Sequence, residues 1–353
     1  MSATARRRYI EQLIREGETF DEVFLLSEKE LKTTKAGKLF VRGTLQDQSG
    51  QCRMIIWEAT EKFYEALPRG GFVRAKGRVE IYQNRPQLIV EFCAPVDESQ
   101  VDLAEFLPAT SEDVEALEAE LREHLSLIAD GQLKALADAF LADEELMARF
   151  RRSPAAKTLH HAYLGGLLEH TVSVMRLAKG VLPLYPVLNG DLLRLGVFLH
   201  DIGKTQELSC DREFAYTDAG QLVGHLVQGT LMLDEKVRRL RDGGTPVADV
   251  LVQQLIHLVI AHHGEFAYGS PKLPMTAEAV ALHYLDNIDA KLHAFARAVE
   301  NHPADEEAWT SRQFMFDNRM LYRGTQEERQ RRAEAPEDAA DAAERSPRKG
   351  GID

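Results

Sequence analysis

The chain has 353 residues, 44% of them hydrophobic, and a formal net charge of −13. No run approaches the ~20 apolar residues of a helical membrane span, and the acidity excludes a protein that grips nucleic acid over its whole surface. The charge is uneven, however: residues 1–100 carry 16 Lys+Arg against 15 Asp+Glu, and the remainder 27 against 41, so two parts of different kind are expected.

The start, MSATARRRYI, has the arginines of an export signal without its apolar stretch, so the expected compartment is the cytoplasm. Residues 1–18 are expected to form a helical N-terminal segment. Cys52, Cys93 and Cys210 are odd in number and far apart. They suggest neither a disulfide framework nor a Cys-x-x-Cys zinc site, but small buried hydrophobes.

From about Val23 to Val96 apolar residues alternate with polar ones, the period of short strands. In KLFVRGTL, Leu39, Val41, Gly43 and Leu45 oppose Lys38, Phe40, Arg42 and Thr44. In CRMIIW, Cys52, Met54 and Ile56 oppose Arg53, Ile55 and Trp57. In FVRAKGRVEIY, Val73, Ala75, Val79 and Ile81 oppose Phe72, Arg74, Lys76, Arg78 and Tyr82. QDQSGQ and QNRP read as hairpin turns, EATEKFYEAL as a short helix, and SEKELKTTKAGK as a Lys-bearing loop. A small antiparallel barrel with one inserted helix, of the OB type, is expected over residues 19–98.

The non-core face of that barrel is basic and aromatic. Phe40, Trp57 and Tyr82 are candidates for stacking on bases, with Arg42, Arg74, Lys76 and Arg78 on phosphates. The opposing reading is a solvated charged surface, and Trp57 is equally compatible with the core.

A linker over residues 99–110 leads to a helical texture, beginning with Ser111, Asp113 and the apolar series Leu117, Leu121, Leu125 and Ile128. The period continues, with interruptions, to about residue 322, so residues 111–324 are expected as a helical bundle. Residues 325–353 are charged and poor in large apolar residues, as in a disordered tail.

Ten of the 12 histidines fall between residues 160 and 293, several beside apolar residues on candidate helices. Buried imidazoles and carboxylates need partners, and a cation bound by several of them is one. Adjacent residues on a helix point about 100° apart, so His200 and Asp201 can serve one cation and its neighbour, with the two Asp201 oxygens as a bridge.

The order His170, His200-Asp201, His225, His262, Asp286 resembles the HD-domain metal-dependent phosphohydrolases. More narrowly, HHAYLGGLLEHT, FLHDIGK, AHHGEFAYGSPKLPMTAEA and LDNIDAK resemble the YhaM-type 3′→5′ exoribonucleases over roughly residues 20–323. GSPKLP stands where cyclic-di-GMP phosphodiesterases carry Gly-Tyr-Pro, which argues against a signalling role.

The resemblance implies a multidomain protein, an OB-type barrel followed by an all-α HD domain, that removes nucleoside 5′-monophosphates from single-stranded RNA. It implies one metal on His170, His200, Asp201 and Asp286, and a second on Asp201, His225 and His262, with His263 as alternative ligand or neighbour. Mn²⁺ is expected first, with Fe²⁺ and Co²⁺ also suited to nitrogen and carboxylate ligands. Lys204, together with Asp201, is the expected catalytic group, meeting the phosphate. His160, His161, Tyr268 and Ser270 are candidates for lining the substrate path, and Asp289 for pairing with a basic neighbour. The rival functions are a phosphohydrolase of small nucleotides with the barrel as a protein-interaction module, and a noncatalytic nucleic-acid-binding protein. RNA against DNA preference and oligomeric state stay open, a homo-oligomer included.

Overall fold

The structure is a computed structural model that describes residues 7–82, 85–157, 161–210, 214–300, 308–325 and 327–329, the side chains of Arg85 and Ala104 excepted. His160, the tip of the QNRP turn and nearly all of the tail expected beyond residue 325 lie outside the described residues.

The alternating segment forms a closed barrel of β1 (Thr19–Thr33), β2 (Leu39–Asp47), β3 (Gly50–Ile56), β4 (Gly71–Tyr82) and β5 (Arg85–Pro95), in the order β1-β2-β3-β5-β4. Only the β3–β5 pairing is parallel. The inward residues of the alternation, among them Phe24, Val41, Leu45, Met54, Val73, Ala75 and Leu88, are fully buried. Helix α1 (Glu61–Ala66) joins β3 to β4, its first turn capped by the Thr60 hydroxyl, which accepts from the Phe63 N–H.

Two sequence expectations are corrected here. Residues 27–33 continue β1 instead of looping out. The first half of the strand pairs with β4 and the second with β2, with a register shift between Leu26 and Glu28. Sharing one strand between two partners closes the barrel, and a polar segment can join a sheet when only one of its faces meets the core. The loop is left with residues 34–38. The N-terminal segment, for its part, shows only a 3₁₀ turn at Ile10–Gln12 among its described residues. Ile10 and Leu13 are drawn into the barrel core, and the Ile10 N–H donates to the buried Asp47 carboxylate at 2.7 Å, so the barrel dictates its path.

Beyond the barrel, 3₁₀ turns at Glu98–Gln100 and Leu103–Glu105 lead to Phe106, packed on Phe72 with ring centroids 4.7 Å apart. Ala109 then pairs in parallel with Leu164. The helices follow as α2 (Val114–Ser126), α3 (Gly131–Leu141), α4 (Glu144–Arg152), α5 (Gly166–Val181), α6 (Gly190–Leu199), α7 (Lys204–Glu207), α8 (Asp218–Leu222), α9 (His225–Asp242), α10 (Asp249–Ala261) and α11 (Ala277–Glu300). Asp113, Asp130 and Asp143 cap α2, α3 and α4. Two-residue strands at Leu208–Ser209 and Ala215–Tyr216 pair between α7 and α8. One apolar core unites these helices other than α7 and α8, with Leu192, Leu193, Leu195, Val197, Phe198 and Leu199 of α6 all buried, as in a helix packed on every side.

The helical period expected to about residue 322 stops earlier, since α11 ends at Glu300. Described residues 308–325 hold a 3₁₀ turn at Phe314–Phe316 and isolated bridges joining Trp309 to Tyr322 and Gln313 to Arg319. Trp309 packs on Tyr322 with ring centroids 5.1 Å apart, both rings staying about half exposed, so the segment has no buried helical stripe. The chain divides after Asp289 into two compact units. Among the described residues no helix is long and apolar enough to cross a membrane.

Candidate metal centre

The apolar α6 ends in His200, and Asp201 follows at once, so the most buried helix of the bundle delivers this pair to its centre. Gly203 is forced by the same arrangement. A Cβ there would collide with the His225 carbonyl, so only glycine lets the start of α7 touch the start of α9.

His170 of α5 and Asp286 of α11 meet His200 on one side of Asp201. His170 Nε2 lies 3.2 Å from both His200 Nε2 and Asp286 Oδ1, and 3.7 Å from Asp201 Oδ2. His200 Nε2 is 3.3 Å from that same oxygen. The other oxygen, Asp201 Oδ1, is 3.5 Å from His225 Nε2 and 3.5 Å from His262 Nε2. His263 joins this second side, its Nε2 3.3 Å from that of His225. Around Asp201, three of the triplets whose ligand atoms lie within 4.8 Å of one another could each hold a cation: His170, His200 and Asp201; His200, His262 and Asp286; His225, His262 and His263.

The hydrogen bonds select the tautomer that a metal needs. Nδ1 of His200, His262 and His263 donates to the carbonyls of Val197, Val259 and Tyr268 at 2.7, 2.8 and 2.8 Å. Nδ1 of His170 donates to Asp289 Oδ2 at 2.7 Å, and Nδ1 of His225 to Glu207 Oε1 at 2.9 Å. Five imidazoles thus turn Nε2 toward the centre, fixed from behind as metal-ligating histidines are. Asp201 Oδ1 and His262 Nε2 are buried with no hydrogen-bond partner, a costly state that a cation between them relieves. The residues present therefore fit divalent metal.

The electrostatics agree. Burial alone would raise the Asp201 carboxyl, but the Lys204 ammonium, His200 and His262 hold it well below the usual carboxylate range. Burial likewise opposes charge on His170, yet Asp286 and Asp289 override it and raise its imidazole to about 10. Carboxylates that favour a proton there favour a cation equally. Burial, with the neighbouring His262 and His225, pushes His263 down to about 3, and Asp201 offsets them only in part.

Lys204 donates to Asp201 Oδ2 at 2.6 Å, so its cation stands beside that carboxylate. His161 is buried, with Nε2 donating to Asp289 Oδ2 at 3.0 Å and Nδ1 2.8 Å from Tyr163 Oη. Ser270 is also buried, its hydroxyl shared between the carbonyls of Ile260 and Lys272, each 2.8 Å away, which makes it a brace of its loop. The Tyr268 carbonyl serves His263, while its side chain is exposed.

Two residues carry more than sequence reasoning gave them. Asp289 accepts from His170, His161 and Ser173, and Glu207 accepts from both the backbone N–H and Nδ1 of His225. The one signal for Asp289 is its place one helical turn beyond Asp286. A further chain of hydrogen bonds runs outward, from Tyr163, whose hydroxyl donates to Glu169 at 2.8 Å, to Thr110 of the linker, which donates to the other Glu169 oxygen.

On the barrel, Phe40 and Trp57 stand together with ring centroids 5.2 Å apart, Trp57 half exposed, beside Arg42 on the outer surface of β2 and β3. Tyr82, 52% exposed, ends β4 at a cleft of about 550 Å³ shared with Arg53, Pro86 and Gln87. Arg74, Lys76 and Arg78 form a separate row on β4. Each basic side chain has an acidic partner: Arg42 with Glu30, Arg74 and Lys76 with Asp21, and Arg78 with Glu91. Phe92, exposed on β5 opposite Lys76, adds an aromatic that the sequence reading passed over.

Barrel, bundle and paired histidine–carboxylate groups together define an HD-domain protein with an OB-fold in front of it. The family model described as HD domain matches residues 167–291, and that of an OB-fold nucleic acid binding domain matches residues 27–96. The chain is 34% identical over 310 residues to the 3′-5′ exoribonuclease YhaM of Bacillus subtilis (strain 168), covering 88% of this chain and 96% of the relative. The relative of the same name from Oceanobacillus iheyensis is 34% identical over 317 residues with the same coverage, and that from Bacillus pumilus 33% over 310. The chain belongs to the YhaM 3′-5′ exoribonuclease family.

Proposed function

We propose that this chain hydrolyses the terminal phosphodiester of single-stranded RNA from the 3′ end, releasing nucleoside 5′-monophosphates. The observation that carries the reading is the division of the Asp201 carboxylate between two sets of histidines, in a chain whose relatives are named 3′-5′ exoribonucleases. His170, His200, Asp201 and Asp286 would hold one cation, and Asp201, His225, His262 and His263 the other. Nitrogen and carboxylate donors suit Mn²⁺, Fe²⁺ or Co²⁺ better than Mg²⁺, and Mn²⁺ is the first choice. Such a pair, when bound, lowers the pKa of water and neutralises charge on phosphoryl oxygens.

The chain's own residues orient the reaction. Water oxygen bonds to phosphorus, the bond from phosphorus to the O3′ of the penultimate ribose breaks, and that O3′ takes up the proton. Lys204 meets a phosphoryl oxygen from beside Asp201. The barrel, residues 19–98, captures the strand, and the domain of residues 111–324, whose helices run to Glu300, cleaves it, with residues 99–110 between them. The chain acts in the cytoplasm.

End-labelled RNA incubated with the protein and Mn²⁺ should give a ladder shortening from the 3′ end and free mononucleotides. Turnover of free nucleotides with intact RNA would overturn the reading in favour of a small-molecule phosphohydrolase. Chelation supplies a second test, because a metal that binds only the folded chain stabilises it by about 4 kcal/mol at ~1,000 times its Kd. The melting temperature should therefore fall by several degrees in EDTA and recover with Mn²⁺, measured by calorimetry.

For capture, strands 2 and 3 and the β4–β5 loop of an OB barrel are the usual oligonucleotide surface, which favours Phe40, Arg42, Trp57 and Tyr82. Arg74, Lys76 and Arg78 reach phosphates only by leaving Asp21 and Glu91. Phe40→Ala with Trp57→Ala should weaken RNA binding by about 1–3 kcal/mol per lost stack, more than alanine at all three β4 positions, measured by fluorescence anisotropy.

A further inference from the structure

The segment GEFAYGSPKLPM directly follows the pair His262-His263 and is braced along its length. It leaves the centre through Gly264, at φ +76°, where a Cβ would collide with the His283 ring. It then makes a 3₁₀ turn, Phe266–Tyr268, closed by Gly269 at φ +84°. The Tyr268 carbonyl accepts from His263 Nδ1, Ser270 is bonded to Ile260 and Lys272, and the Met275 N–H donates to His257 Nε2 at 2.9 Å. The turn is thus tied to His263 and to helix α10, yet the side chains of Phe266 and Tyr268 are 67% and 59% exposed. Tyr284, 61% exposed on α11, follows His283, whose Nδ1 donates to the His262 carbonyl at 2.8 Å. A single exposed aromatic needs no explanation. Here two stand on one braced turn, no more than about 18 Å of extended chain beyond His263.

We infer that this turn is a base platform, on which Phe266 and Tyr268 stack the 3′-terminal bases of the RNA entering the metal centre. The inference rests on the exoribonuclease reading above. An enzyme that shortens RNA one nucleotide at a time meets every base in turn, and so needs a grip that does not read hydrogen-bond patterns. Aromatic faces supply it, because every base has a π-face to stack. Bracing the turn against His263 and α10 fixes the platform relative to the scissile bond, so little order has to be gained on binding.

The test uses the Mn²⁺-loaded full chain and an oligoribonucleotide ending in 2-aminopurine after a non-hydrolysable methylphosphonate linkage. Wild-type protein should quench the terminal fluorophore. Phe266→Ala combined with Tyr268→Ala should lose that quenching and bind on the order of tenfold more weakly. Phe266→Trp with Tyr268 intact should keep both. An oligonucleotide with two abasic 3′-terminal residues should bind wild type about tenfold more weakly than the intact one, and bind the double alanine variant no more weakly still. Unchanged quenching in that variant, or an equal penalty for the abasic end in both proteins, overturns the platform. RNA that is quenched but never cut when its linkage is natural sinks the exoribonuclease reading and leaves the platform standing.

Discussion

Asp201→Ala should strip both metals at once, taking the metal content of purified protein from about two per chain toward none and abolishing hydrolysis of RNA, while the barrel still binds RNA. The reason is geometric, since each oxygen of this carboxylate faces a different set of histidines. Removing His225, by contrast, should empty only one position. Alanine has a side effect: it takes from Lys204 the carboxylate that accepts its 2.6 Å hydrogen bond, and an ammonium only 12% exposed is costly to leave alone. Asp201→Asn keeps the shape and an acceptor for Lys204 while removing the charge, so it separates loss of metal from loss of fold. Elemental analysis giving two metals per chain in either variant would refute the bridge.

Asp289→Asn should weaken metal binding about 10- to 100-fold without touching a ligand atom. Asp289 accepts from His170 Nδ1 at 2.7 Å and from His161 Nε2 at 3.0 Å, and it orients the ring whose Nε2 faces the centre. Burial works against its charge, but His161, His170 and Ser173 hold the carboxyl far below the usual range, so it stands ionised behind His170. Asparagine can still accept a hydrogen bond but no longer makes the imidazole a stronger donor to a cation. Titration calorimetry with Mn²⁺ measures the change, and the melting temperature of the metal-free variant shows whether the fold itself has suffered. Metal affinity equal to wild type would reduce Asp289 to a packing residue.

The barrel and the bundle were both legible in the sequence because each is written as a period. Alternation from Leu39 to Leu45 and from Val73 to Val79 sets inward and outward faces, while Ile81, read as inward by the same period, is 41% exposed at the strand end; the leucines of α2 set a helical stripe. What the period does not carry is pairing. Nothing in SEKELKT distinguishes a polar loop from the second half of a strand whose partner is decided by β2. At the centre, the order of histidines and aspartates singled out α5, α6, α9, α10 and α11, whose side chains the structure gathers into triplets within 4.8 Å. Asp286 and Asp289 lie one turn apart on one helix, so helical spacing alone does not separate them; the resemblance gave Asp286 to the metal and left Asp289 to a basic neighbour, which the structure shows to be His170. The roles of His161 and Glu207 are set by helices far off in the chain, and so no local pattern announces them. His262 and His263 posed a choice in the sequence that the structure does not require, as both rings face His225.

The strand-like contact of Ala109 with Leu164 bears on how the bundle can be isolated. The Thr110 N–H donates to the Leu164 carbonyl and the Leu164 N–H to that of Pro108, both at 2.8 Å, while the Thr110 hydroxyl reaches Glu169, the residue before His170. A fragment begun at Ser111, where the helical texture starts, would be cut on the wrong side of its own wall. The smallest piece that keeps the lining behind His170 begins upstream of Pro108.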